Sequence, residues 1–128
     1  MELKLEAGLR HEIETIVAIN DTASFYGSGS LEVLATPAMI APMENAAMKS
    51  VESELPEGFT TVGIEVNIKH IKATGVGIKV RSEALLEKIE GKRLYFKVEA
   101  YDESGKIGEG SHVRYIVNSE DFMKRLAK

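Results

Sequence analysis

From residue 34 to residue 55 the chain reads LATPAMIAPMENAAMKSVESEL, and between Ala38 and Ala47 the polar side chains are Glu44 and Asn45. Apolar side chains pointing in nearly every direction around an axis predict a helix buried by the rest of its own fold. Thr36 suits the N-cap and Pro37 the first helical position, where its missing N–H would have had no partner. The turn signal Pro56-Glu57-Gly58 predicts that the helix ends at about Ser53. Pro42 removes the bond to the Ala38 carbonyl and predicts a local irregularity inside the helix. Burying a carboxylate in such a helix costs several kcal/mol unless it is paired or protonated, which makes Glu44 the residue to explain.

The rest of the chain alternates with a period of two. After an amphipathic lead and Gly8, Ile13 and the apolar run 16–19 predict a first strand, followed by a turn-rich loop, NDTASFYGSGS, over residues 20–30. Residues 60–73 place Val62, Ile64, Val66 and Ile68 on one face, with His70 in phase, and Glu65, Asn67 and Lys69 on the other. Val76, Ile78, Val80, Ala84 and Leu86 mark a third strand, which a turn at Glu90-Gly91 ends. Leu94, Phe96, Val98 and Ala100 alternate with Arg93, Tyr95, Lys97 and Glu99 in a fourth. Glu103-Ser104-Gly105 predicts a hairpin into a last strand over residues 107–117, with a polar segment at 118–128. A strand, a long helix and four antiparallel strands, with no repeat or linker, predict one α+β domain over residues 1–128 whose curved sheet wraps a single helix, the hotdog architecture. One such unit leaves sheet edges and part of the helix open, so a homodimer is expected.

Composition narrows the chemistry. A net charge of -4 offers no basic footprint for nucleic acid. The absence of cysteine excludes thiolate zinc sites and cysteine nucleophiles, and the three histidines form no ligand motif, so no metal or other cofactor is expected. No apolar run near the N-terminus has the length of a signal or membrane span, and a cytoplasmic protein is the expectation.

Five side chains stand out against this background. Glu44 reads as a general acid or base held in a partly apolar site, or as a helix carboxylate reaching a groove or a core arginine. His70, on a core-facing strand position, reads as a proton carrier or a satisfied core histidine, and its strand is expected to pack near the helix that carries Glu44. Thr36 places a hydroxyl at a helix N-terminus, where backbone amides stabilise developing negative charge. In GEGSHVRYIV, His112 and Arg114 share one face, and Arg114 can meet an anionic group or pair with Glu44.

Together, LATPAMIAPMENAA, TTVGIEVNIKHIKAT, GKRLYFKVEAYDESGKIGEG and SHVRYIV resemble the hotdog thioesterases of the fluoroacetyl-CoA thioesterase type, over nearly the whole chain from Tyr26 to Arg125. The resemblance implies hydrolysis of an acyl-CoA thioester to a carboxylic acid and free CoA. It implies a catalytic set of Thr36, Glu44 and His70, with Gly63 lining the acyl pocket and Arg114 as a second substrate-binding residue. Fluoroacetyl-specific members carry a phenylalanine just upstream of the threonine, where this chain has Ser30, so a different short or medium acyl-CoA is expected. A hotdog hydratase or dehydratase, or a non-catalytic acyl-CoA-binding module in which Glu44 pairs with Arg114, is the competing function.

Eight residues of straight helix separate Thr36 from Glu44 by roughly 12 Å along the axis. Both can reach one carbonyl only if Thr36 folds back near Pro42 or if the two come from different subunits. A site at the interface of a homodimer is the expectation.

Overall fold

The structure, a computed structural model, describes residues 4–127. The first three residues of the expected amphipathic lead and Lys128 lie outside that range. Strand β1 (Arg10–Ile16) leads through a 3₁₀ turn (Ile19–Asp21) and a four-residue helix α1 (Ala23–Tyr26) to the long helix α2 (Thr36–Glu52). Strands β2 (Phe59–His70), β3 (Lys79–Glu90), β4 (Arg93–Asp102) and β5 (Gly105–Asn118) follow, and helix α3 (Ser119–Leu126) closes the chain. All strand pairs are antiparallel in the order β1-β3-β4-β5-β2. The sheet packs one face on α2, as the alternation and the apolar helix predict.

Val80, Ala84 and Leu86 of β3, Leu94, Phe96, Val98 and Ala100 of β4, and Ile107 and Ile116 of β5 are buried with Met39, Met43, Ala46, Ala47 and Val51 of α2. Each large side chain among them stabilises the fold by about 1.5–3 kcal/mol. Gly108 permits the close approach of helix to sheet, since a Cβ there would lie 2.6 Å from both Sδ and Cε of Met39.

Helix α2 is not buried all round, as the apolar run suggested. Thr36, Pro37 and Ala41 are exposed, while Ile40, Glu44, Asn45 and Met48 are half-buried, so one stripe of the helix is open in a single chain. The helix runs through Pro42 without a break. It begins at Thr36 itself, with Ala35 as N-cap and Pro37 in the first turn, so the expected cap is displaced by one residue.

Two segments read as irregular form short helices. Within the predicted loop, the Thr22 side chain accepts from the Phe25 amide at the start of α1, and Gly27 ends it in the left-handed region at φ 76°. In the predicted polar tail, Asn118 accepts from the Asp121 amide to start α3, whose first turn is acidic and last turn basic.

The phase of β2 also differs from simple alternation. Gly63 pairs with Arg114 but Glu65 pairs with Val113, so Ile64 is a bulge. Thr61 and Gly63 before it, and Val66, Ile68 and His70 after it, therefore share the face of His112 and Arg114. Gly63 and His70 are an odd seven residues apart and would lie on opposite faces of a regular strand. The bulge brings both to the helix-facing side. Val62 and Ile64 leave the inner face, and Ile64 and Val66 are 49% and 44% exposed on the edge strand.

Candidate active site

Helix α2 brings candidate side chains together with the sheet at two places. At its first residue, Thr36 Oγ1 lies 2.8 Å from His70 Nδ1. Because Ala35 occupies the cap position and the Thr36 side chain makes no cap bond, the hydroxyl is directed to the end of β2. The two residues line a cleft with Leu34, Ala35, Pro37 and Ile71. The other ring nitrogen of His70, Nε2, is buried and meets no partner at hydrogen-bonding geometry among the described residues. Burial lowers the His70 pKa below its ordinary value, with the Lys72 main chain opposing. The neutral imidazole is the favoured form. It accepts the Thr36 proton at Nδ1 or donates to Thr36 Oγ1, according to tautomer.

Two turns further along, Glu44 faces a second cleft formed with Asn45, Thr61, Gly63 and Arg114. A Cβ added to Gly63 would lie 3.1 Å from Glu44 Oε2, 3.1 Å from His112 Cε1 and 3.5 Å from an Arg114 terminal nitrogen. Only a glycine leaves that space open. Arg114 is held by three bonds: Nε donates to Thr61 Oγ1 at 2.7 Å, one terminal nitrogen to the Thr61 carbonyl at 2.8 Å, and the other to His112 Nε2 at 3.1 Å. None of these bonds goes to Glu44, so the tight Glu44–Arg114 pair considered from the sequence is not formed in the structure. Burial lowers the Arg114 pKa and the nearby Glu44 charge raises it.

The five residues singled out in the sequence thus fall into two groups, Thr36 with His70 and Glu44 with Gly63 and Arg114. The strand that carries His70 packs near Glu44 through Gly63, while His70 itself lies against Thr36. Seven residues of extended strand span roughly 20 Å, so once Gly63 lies against Glu44 the His70 end of β2 is carried away from it. Sequence reading placed His112 beside Arg114 without giving it a task. The signal was there in the two-residue spacing, but the acceptor it supplies became visible only with the pairing of β5 and β2.

Among the described residues no three acidic or histidine side chains are grouped as a metal site, and no helix is long and apolar enough to cross a membrane.

An antiparallel sheet wrapped on one helix, with a threonine–histidine pair at the helix start and a carboxylate beside a glycine and an arginine, defines a hotdog protein of the thioesterase type. The sequence model of the fluoroacetyl-CoA-specific thioesterases matches residues 17–120, and the chain belongs to that family, whose reaction is hydrolysis of an acyl-CoA thioester. It is 35% identical to the fluoroacetyl-CoA thioesterase of Streptantibioticus cattleyicolor over 91 residues, 71% of this chain and 66% of that protein. The chain spans about two thirds of that relative's length. Among solved structures, a threonine-to-serine mutant of the fluoroacetyl-CoA thioesterase in complex with acetyl-CoA superposes with a TM-score of 0.90 at 28% identity, over 96% of this chain and 97% of that one. A Thermus thermophilus member of the thioesterase superfamily superposes at 0.86 with 35% identity, over 95% and 93% of the two chains. A hot-dog-like protein from Thermanaerovibrio acidaminovorans, at 24% identity and a TM-score of 0.87 over 95% and 90%, shares the fold.

Proposed function

We propose that this chain hydrolyses a short or medium acyl-CoA, with Thr36, Glu44 and His70 as catalytic residues and Gly63 and Arg114 holding the acyl group. The observation that carries this reading is the 2.8 Å contact between Thr36 Oγ1 and His70 Nδ1 on the same helix that presents Glu44 to Gly63 and Arg114. Glu44 activates water or attacks the thioester carbonyl itself, so that a C–O bond forms as the C–S bond breaks. His70 carries the proton that the departing thiolate takes up, and Thr36 with the first amides of α2 steadies the carbonyl oxygen. Water and the thioester balance the reaction, so no resident cofactor or metal is invoked. A soluble CoA thioester as substrate fits the cytoplasmic location expected from the sequence.

The two groups lie at separate places along α2, and we place the working site between two copies of the chain, the first group of one meeting the second group of the other. The open stripe of α2 and the exposed apolar edge of β2 support a homodimer. Selectivity for fluoroacetyl groups is not part of the proposal, since Ser30 stands where fluoroacetyl-specific members have phenylalanine.

The test is a panel of acyl-CoAs from acetyl to octanoyl assayed for thiol release, with Glu44→Ala and His70→Ala in parallel. Release by the native protein and loss in both variants supports the reading. Binding of acyl-CoAs without thiol release would leave a binding module instead.

A further inference from the structure

Among the residues that the proposed reaction leaves without a role, His112 is the most constrained. Its ring is 1% exposed and lies 6.2 Å, centroid to centroid, from Phe96 of β4. Nδ1 is 2.8 Å from the main-chain carbonyl of Glu65 on β2, and a carbonyl can only accept, so Nδ1 carries the proton. Nε2 is then a bare lone pair, and the Arg114 guanidinium donates to it at 3.1 Å. A second ring proton would set two donors against each other. The charged groups facing the ring are Arg114 on its own strand and Glu44 from α2.

Arg114 has five N–H groups. Thr61 takes two, His112 takes one, and one N–H on each terminal nitrogen has no partner among the described residues. Both Glu44 and Arg114 approach the space above Gly63, yet the bonds hold the guanidinium toward β2 and β5. Without the His112 lone pair, one terminal nitrogen of a buried cation would lose its only partner, and the Glu44 carboxylate would be the nearest anion to take it.

We propose that His112 is the positioning residue for Arg114: its Nε2 acceptor keeps the guanidinium from closing on Glu44 and turns its two unpartnered N–H groups toward the acyl end of the thioester. This rests on the thioesterase reading of the Glu44 cleft.

Two measurements test it. The first compares His112→Gln, which keeps one acceptor and one donor, with His112→Leu, which fills the space and offers neither. His112→Leu is expected to lower kcat about ten- to a hundred-fold with its melting temperature near that of the native protein, and His112→Gln to recover most of that loss. Equal activity of the Leu variant, or a Gln variant no better than Leu when both fold, overturns the assignment. The second is independent of any substrate: ¹⁵N NMR of the imidazole at pH 7 is expected to show a neutral His112 ring protonated at Nδ1. A ring protonated at Nε2, or charged at that pH, overturns the assignment even if the enzyme is active, and the expected ring supports it even if no thioester in the panel is cleaved.

Discussion

Thr36 Oγ1 and His70 Nδ1 stand 2.8 Å apart, joining the first residue of the central helix to the last residue of the edge strand. Thr36 is exposed and does not cap the helix, so its hydroxyl is not needed to hold the fold. Thr36→Ala is therefore expected to lower kcat by about a hundred-fold, within the range for loss of one donor to the carbonyl oxygen, with little change in melting temperature. Thr36→Ser, which keeps the hydroxyl, is expected to retain most of the activity. The double variant Thr36→Ala/His70→Ala should be no slower than the slower single, because the two act as a unit. Additive losses in thiol-release kinetics would contradict the pairing.

Gly63 tests the second cleft. Its backbone has no positive φ, so alanine brings no conformational strain there. The added Cβ would sit 3.1 Å from both Glu44 Oε2 and His112 Cε1, closer than carbon ordinarily packs, and would occupy the approach to Arg114. Gly63→Ala is expected to cut kcat/KM at least about ten-fold while the protein remains folded. A variant with native kinetics would remove Gly63 from the acyl pocket.

The central helix, the four later strands and the hotdog wrap were all legible, because each is written in a long run of one period. The bulge at Ile64 was not, since a single extra residue leaves alternation intact on both sides while changing which residues face the helix. That is why Val62 and Ile64 were read as core and why the common face of Gly63 and His70 emerged only from the pairing with β5. Thr36 was read as an N-cap from residue type alone, whereas its hydroxyl goes to a residue 34 positions away. Glu44 was picked out as the carboxylate of an apolar helix, but its neighbours depend on strand direction and offset, which local pattern does not encode. The two short helices were missed because their caps, Thr22 and Asn118, lie in segments whose composition also suits turns.

The stability of the fold should fall on acidification in two stages. Burial lowers both His70 and His112 below their ordinary value of 6.5, so the unfolded chain takes up these protons first. Their contribution is complete above about pH 6.5 and is lost as pH falls below it. Asp102 follows at lower pH: burial raises its pKa, but bonds from Lys72, Ser104 and Thr74 outweigh that and hold it at about 2 against an ordinary 3.8. Its contribution is present above 3.8 and is lost as pH falls toward 2. Asp102→Asn is expected to cost ~1–3 kcal/mol at neutral pH by weakening partners on two segments, the connection after β2 and the turn between β4 and β5, and to flatten the lower stage of a melting-temperature profile. A profile unchanged by the substitution would show that the cluster does not stabilise the native state.

Subunit mixing decides whether the two clefts work together across an interface. In the proposed homodimer, a Thr36→Ala variant lacks one half of each site and a Glu44→Ala variant lacks the other, so both are expected to be nearly inactive. When the two variants are unfolded together and refolded, about half of the dimers formed at random are mixed. In each mixed dimer, if the clefts of different copies meet, one site receives Thr36 from one chain and Glu44 from the other and is fully native, while its counterpart carries both substitutions. Activity should therefore return to about a quarter of the native value, since one site in four is restored. If Thr36 and Glu44 of the same chain acted together, every site in every mixed dimer would still carry one substitution, and refolding the mixture would recover nothing. The size of the recovered activity, measured against native protein refolded in the same way, thus distinguishes the shared site from two clefts that work within their own chain.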